Sequence, residues 1–254
     1  MKKKSVGIAL IIVVALITVT ACSQFPESKI LMDGENATTE VTLPIYGEVP
    51  DEHNKEASGI SNEVYYIDNH ASMMKLPSSL EELYQQSEFV VTGEVIASGT
   101  IFQNDTMYTL QQFAVESVYK GDMEAQSQIL IVEMGGTTTF GEYDRNTIKT
   151  VKDFETGAPR RDANTIVIEG VNGHFPMTEG SEMLLFLVDT SGFIKNIDEK
   201  LYAVIGTYAG KLYKTDEQTY RQAAPSSNAE ISFEPDSLSI TLNEVQNCNR
   251  EYTE

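Results

Sequence analysis

The apolar positions of this chain change their spacing as it proceeds. They run almost unbroken from Ser5 to Thr20 and lose any sustained period from residue 23 to about 76. After that they take up first a helical and then a two-residue spacing. "PSSLEELYQQS" predicts a short helix. Ser78 and Ser79 each stand three residues before an acid, Glu81 and Glu82, which is the capping-box spacing, and Leu80, Leu83 and Tyr84 then share one face. The β-branched, alternating run Glu88 to Phe102 predicts a strand in which Gly93 allows a bulge or tight bend. "NDT" predicts a hairpin turn into a second strand, Thr106 to Asp122. In that strand Tyr108 and Leu110 have one parity and Phe113 and Val115 the other, so a bulge is expected near Gln111 and Gln112.

"SQILIVEMGG" is apolar on both faces, as a central strand is, and Gly135-Gly136 ends it. Thr137 to Asn164 reads as a long polar loop, "TIVIEG" as a short strand, and Met183 to Val188 as another two-sided strand. "KLYAVIGTYAGKLYKTDE" reads as a hairpin-like pair around Ala209-Gly210, and Leu238, Leu242 and Val245 as one face of a terminal helix. "VYYIDNHASMM", from Val64, is either an edge strand or a segment packed on the domain. The fold predicted is mainly β: a single small barrel or an open sandwich, with one N-terminal helix and a short C-terminal one. The β domain spans residues 76–222, and residues 223–254 form a tail that is helical in part.

The first segment is of another kind. Lys2, Lys3 and Lys4 precede an apolar run that falls short of the ~20 residues a membrane-spanning helix needs, and "VTAC" follows, ending at Cys22. This order resembles the signal and lipobox of bacterial lipoproteins. The resemblance implies removal of residues 1–21 and a diacylglyceryl group on the Cys22 sulfur, which holds the protein on the extracytoplasmic face of a cell membrane. A Gram-positive source would suit this. Each buried methylene contributes about 0.8 kcal/mol, so two acyl chains anchor durably where one does not. With Cys22 acylated, Cys248 has no partner and no disulfide framework exists.

Residues 22–75 read as an acidic, flexible tether rich in turn-forming residues. The whole chain carries −20, and losing the three signal lysines leaves −23. That balance argues against nucleic acid or another polyanion as partner, because both require a cationic footprint.

Within residues 76 to 216 the motif order is similar to a widespread class of exported bacterial proteins. The matching pieces are Ser79 to Ser87, Val91 to Val95, "VESVYKG" from Val115 to Gly121, "IVEMGG" from Ile131 to Gly136, and "GSEMLLFL" from Gly180 to Leu187. The resemblance implies an OB-like barrel of the netrin-like, tissue-inhibitor kind, although the cysteines that staple animal modules of that kind are absent.

Catalytic chemistry is thinly supplied. Of three histidines only His174, in "NGHFP", lies in the domain, and it reads as a turn residue rather than the base of a triad. There is no His-x-x-x-His pair, Cys-x-x-Cys, Gly-x-Ser-x-Gly or phosphate-cradling loop, and no cofactor or metal is expected. "NIDE" and "QND" read as turns, not calcium loops. In the long loop Phe140, Tyr143, Arg145, Phe154, Arg160 and Arg161 are of types common at protein interfaces, against the plainer and preferred reading of a surface excursion. The expectation is a non-catalytic binding module with an envelope protein as its partner. An envelope hydrolase using carboxylates or a metal, and a passive structural or sensory lipoprotein, are the alternatives.

Overall fold

The computed structural model describes residues 64–72, 75–147 and 162–253, together with two short paired strands, β1 (Ser28–Ile30) and β2 (Val41–Leu43). Cys22, Phe154, Arg160 and Arg161, and with them the expected signal and lipid site, lie outside the described residues. Among the described residues no helix is long and apolar enough to cross a membrane.

The protein is mainly β, built on an OB-like barrel. Five strands form its ring: β4 (Phe89–Gln103), β5 (Thr106–Lys120), β6 (Gln128–Met134), β9 (Glu182–Asp189) and β10 (Leu201–Val204). β4 pairs with β5, β5 with β6, β6 with β10 in parallel, β10 with β9, and β9 again with β4. The pairings therefore return on themselves, which removes the exposed edges a flat sheet would leave. Alternate residues fill the inside, among them Val91, Val95, Phe113, Ile131, Met183, Leu185 and Tyr202.

The expected hairpin turn is a two-residue one, with Asn104 and Asp105 both at positive φ (50° and 60°), the geometry that matches the twist of flanking strands. Gly93 is needed: a Cβ there would lie 2.0 Å from the Ala114 carbonyl oxygen, next to a register shift that leaves Glu116 unpaired. The bulge expected in β5 at Gln111 and Gln112 lies instead on the opposite strand, where Ile96 is the extra residue between Val95↔Phe113 and Ala97↔Gln112. β5 is regular there. Its change of parity has another cause: Leu110 faces an outer core with Leu130 and Ile194, while Gln111 is buried inside the barrel.

Beyond the ring, β11 (Lys211–Lys214), β12 (Thr219–Gln222) and β13 (Ser239–Thr241) extend the sheet from β9. The hairpin expected around Ala209-Gly210 does not form. β10 and β11 lie in line along the same edge of β9, with Ala203 opposite Val188 and Leu212 opposite Leu184. Between them residues 206–209 leave the strand, while Ile205 and Gly210 both bond to Phe186. Leu201, Val204 and Leu212 are buried along β9, which pairing β10 to β11 in a free hairpin would not achieve. The hairpin is the next connection, β11 to β12.

The segment from Thr137 to Asn164 is in part ordered structure. It contains most of β7 (Gly136–Thr139) and all of α2 (Phe140–Asn146). β7 joins β8 (Ile166–Val171) and β3 (Val64–Asn69) in a second sheet, so β3, inside the stretch read as tether, is an edge strand parallel to β8. The tail contributes β13 and α3 (Leu242–Thr253), which with α1 (Leu80–Gln86) covers the outer faces of β9 and β11 through Leu83, Tyr84 and Val245. All three described helices start on a Ser/Thr-x-x-Glu spacing. Ser79, Thr139 and Thr241 accept the amide of Glu82, Glu142 and Glu244, and Glu244 returns a bond to the Thr241 amide at 2.7 Å.

Candidate functional site

One end of the barrel interior is polar. On β6 the inward parity that buries Ile129 and Ile131 next falls on Glu133, and on β5 that of Phe113 falls on Gln111. Glu133 is met by Lys211, whose ammonium lies 2.7 Å from Oε1, both side chains being almost fully buried. The segment His174 to Met177 crosses this end as a strap. Lys211 Nζ donates to the Phe175 carbonyl (2.6 Å), the Met177 amide donates to Glu133 Oε2 (2.8 Å), and Gln111 Nε2 donates to the Met177 carbonyl (2.8 Å). Burial pushes the Lys211 ammonium down, yet the Glu133 charge, the nearby Tyr213 phenol and the hydrogen bond to Glu133 together outweigh it and hold the ammonium above the ordinary lysine value.

The strap also carries His174, whose ring stacks on Tyr208 of the 206–209 excursion with centroids 3.8 Å apart. Burial, and next the Lys211 charge, lower its pKa to about 4, against a smaller upward pull from Asp68. It is therefore neutral at neutral pH. Its ring meets a tyrosine, and among the described residues no serine is bonded to it. Nor do three His, Cys, Asp or Glu side chains gather among the described residues in a way that would hold a metal.

Beside the polar end a groove of about 190 Å³ opens on the face of β5 and β6. It is lined by Tyr108 of β5, Glu133 and Met134 of β6, Ala203 of β10, and by Phe193 and Thr207. Phe193 is 50% exposed and Met134 38%; among the described residues the other large apolar side chains exposed to this degree are Ile96, Ile231 and Tyr252. Phe193 is held edge-on to Tyr108 with centroids 5.5 Å apart. Gln103 fixes the loop that carries it, donating to the Phe193 carbonyl (2.9 Å) and accepting from the Lys195 amide (2.8 Å). Thr207 has φ +64°, a left-handed conformation that a β-branched residue adopts only under constraint, and such constraint clusters at functional positions. In OB barrels the face of the second and third strands, with the loop between the fourth and fifth, is where ligands bind. β5 and β6 are the second and third strands of this ring, and Phe193 lies in the connection between β9 and β10, the fourth and fifth.

No protein-family model matches the chain, and no curated protein matches it either. The geometry therefore carries the functional argument.

Of the interface residues read from the sequence, the structure brings Phe140, Tyr143 and Arg145 onto α2. Tyr143 is buried and its hydroxyl donates to Glu169 Oε2 at 2.6 Å, so burial, reinforced by that carboxylate, pushes the phenol above its ordinary range. Phe140 packs on the small core of Met107, Tyr143 and Val167. Arg145 is exposed and its Nε donates to the Gly141 carbonyl of its own helix. None of the three lines the groove. Sequence reasoning missed Tyr108, Met134, Phe193 and Thr207. It also passed over Glu133, whose signal was visible: an acid at inward parity in the apolar run "ILIVEM" requires a buried cation, and Lys211 is that cation.

Proposed function

We infer that this protein is a lipid-anchored, extracytoplasmic binding module that acts without catalysis and holds a protein partner of the cell envelope in the groove between β5, β6 and the β9–β10 connection. One observation carries this reading: the half-exposed Phe193, braced by Tyr108 and Gln103, beside a mostly apolar groove at the position where OB barrels bind. A solvent-exposed phenylalanine held rigid from two sides loses little freedom on binding and supplies an anchor of the type that dominates interfaces. The net charge of −20 disfavours a nucleic-acid ligand in the same groove. The lipobox-like "VTAC" supports attachment through Cys22, with the acidic stretch behind it as the tether.

The test is affinity capture of envelope proteins on the lipidated chain and on Phe193→Asp. The wild type should retain a discrete partner that the variant loses about tenfold or more, as loss of a buried anchor implies. Equal capture by both proteins, or turnover of a substrate by the purified chain, would contradict the reading.

A further inference from the structure

A second concavity, of about 450 Å³, lies on the far side of the strap between the end of β3 and residues 225–227. Its volume falls in the range that holds small ligands. Tyr66, Asp68 and His70 alternate along β3 and its extension, so all three are on one face, and all three line it. The opposite wall is the Asn172-Gly173 turn, with both residues at positive φ (52° and 74°).

The walls are pinned. The Gly173 amide donates to Asp68 Oδ1 (2.8 Å), the Ser226 amide donates to the Gly173 carbonyl (2.7 Å), and Asn172 exchanges two bonds with the Ala71 backbone. Gly173 is required for this closeness, since a Cβ there would lie 2.7 Å from Pro225 Cβ. The cavity is therefore preformed.

Its chemistry is one-sided. One oxygen of Asp68 is committed to Gly173, and the other has no partner among the described residues. No lysine or arginine lines the cavity. The titratable bases near Asp68 are His70, on the same face of the lining, and His174, which is neutral at neutral pH. The Tyr66 ring, perpendicular to that of Phe175 with centroids 6.1 Å apart, adds an aromatic wall. A carboxylate beside an aromatic ring is the pairing that recognises an ammonium group, by charge-assisted hydrogen bonding on one side and cation–π attraction on the other. The acidic chain adds a field that concentrates cations.

We propose that this cavity is a binding site for a compact organic ammonium, held between the Asp68 carboxylate and the Tyr66 ring. The site is separate from the β5–β6 groove and does not depend on what that groove binds. The same chemistry belongs to a free alkylamine and to a lysine side chain, and the test separates them.

The intact chain in detergent is titrated with n-butylammonium, with N-acetyl-lysine amide, and with 1-butanol as the neutral counterpart, followed by calorimetry and by the NMR shift of the Gly173 amide. Saturable binding of butylammonium without binding of butanol is expected. Equal binding of the lysine derivative assigns the source to a peptide, and its exclusion to a free amine. Asp68→Asn keeps an acceptor for the Gly173 amide while removing the charge, and should weaken binding about tenfold. Tyr66→Leu should weaken it severalfold, with unfolding temperature as the folding control for both variants. Absence of saturation with both cations, equal binding of butanol, or unchanged affinity in Asp68→Asn would overturn the proposal.

Discussion

Lys211 and Glu133 show how single residues specify this barrel. Each is buried, and each has two partners: the other's charge, and the backbone of the strap at Phe175 or Met177. Removing one leaves an uncompensated charge in a low-dielectric interior, whereas removing both does not. Lys211→Met should therefore lower unfolding stability by about 3–5 kcal/mol, and Lys211→Met with Glu133→Leu should recover most of that loss. Denaturant titration of the single and double variants measures it; a double variant no more stable than the single would contradict the pairing. Inward-facing Glu133 was readable in the sequence as a residue in need of a cation. Its partner was not, because Lys211 lies 78 positions further along and no local pattern connects them.

At the scale of elements, what was legible follows from locality. α1 was readable because its cap, its acids and its apolar face fall within a few residues of one another, and the β4–β5 hairpin because Asn-Asp favours positive φ. β6 and β9 were readable because strands buried on both faces carry apolar residues at both parities. α2 was missed although Thr139 and Glu142 carry the same spacing as α1, since only Phe140 and Tyr143 supply it with apolar contacts. The line of β10 and β11 along β9 was missed because it depends on the long edge of a distant strand.

The excursion between β10 and β11 matters because Tyr208 leaves the sheet with it and stacks on His174 of the strap. The burial of His174 there predicts a pH dependence. Burial and Lys211 hold His174 near 4, well below its ordinary 6.5, with Asp68 the opposing charge. Between those values the unfolded chain binds more protons than the folded one, so the contribution is complete above about 6.5 and is lost as pH falls toward 4. The lowered carboxylates Glu82, Asp189, Asp216 and Glu244 act below their own ordinary values of 3.8 to 4.5, so the window above 4.5 belongs to His174. His174→Phe keeps a ring against Tyr208 and should flatten the stability–pH curve in that window. An unchanged slope would contradict the account.

For the whole molecule, the barrel, its covering helices and the second sheet leave one face with an exposed, braced aromatic beside a groove, and that face is where the proposed partner sits. The fold class was readable from spacing alone, as a count of strands and a helix. The groove was not, because it is assembled from β5, β6, the β9–β10 connection, and β10 with the excursion after it, stretches from separate parts of the chain that no local pattern connects. Phe193 in "TSGFIK" looks like any loop phenylalanine until Gln103 and Tyr108 are seen to hold it. The most direct measurement of the binding claim is site-specific photo-crosslinking in intact cells, with the reactive residue at position 193 and, as control, at exposed position 217 in the β11–β12 turn. The account predicts a discrete protein adduct from position 193 and none from 217. No adduct from 193, or the same adducts from both positions, would contradict it.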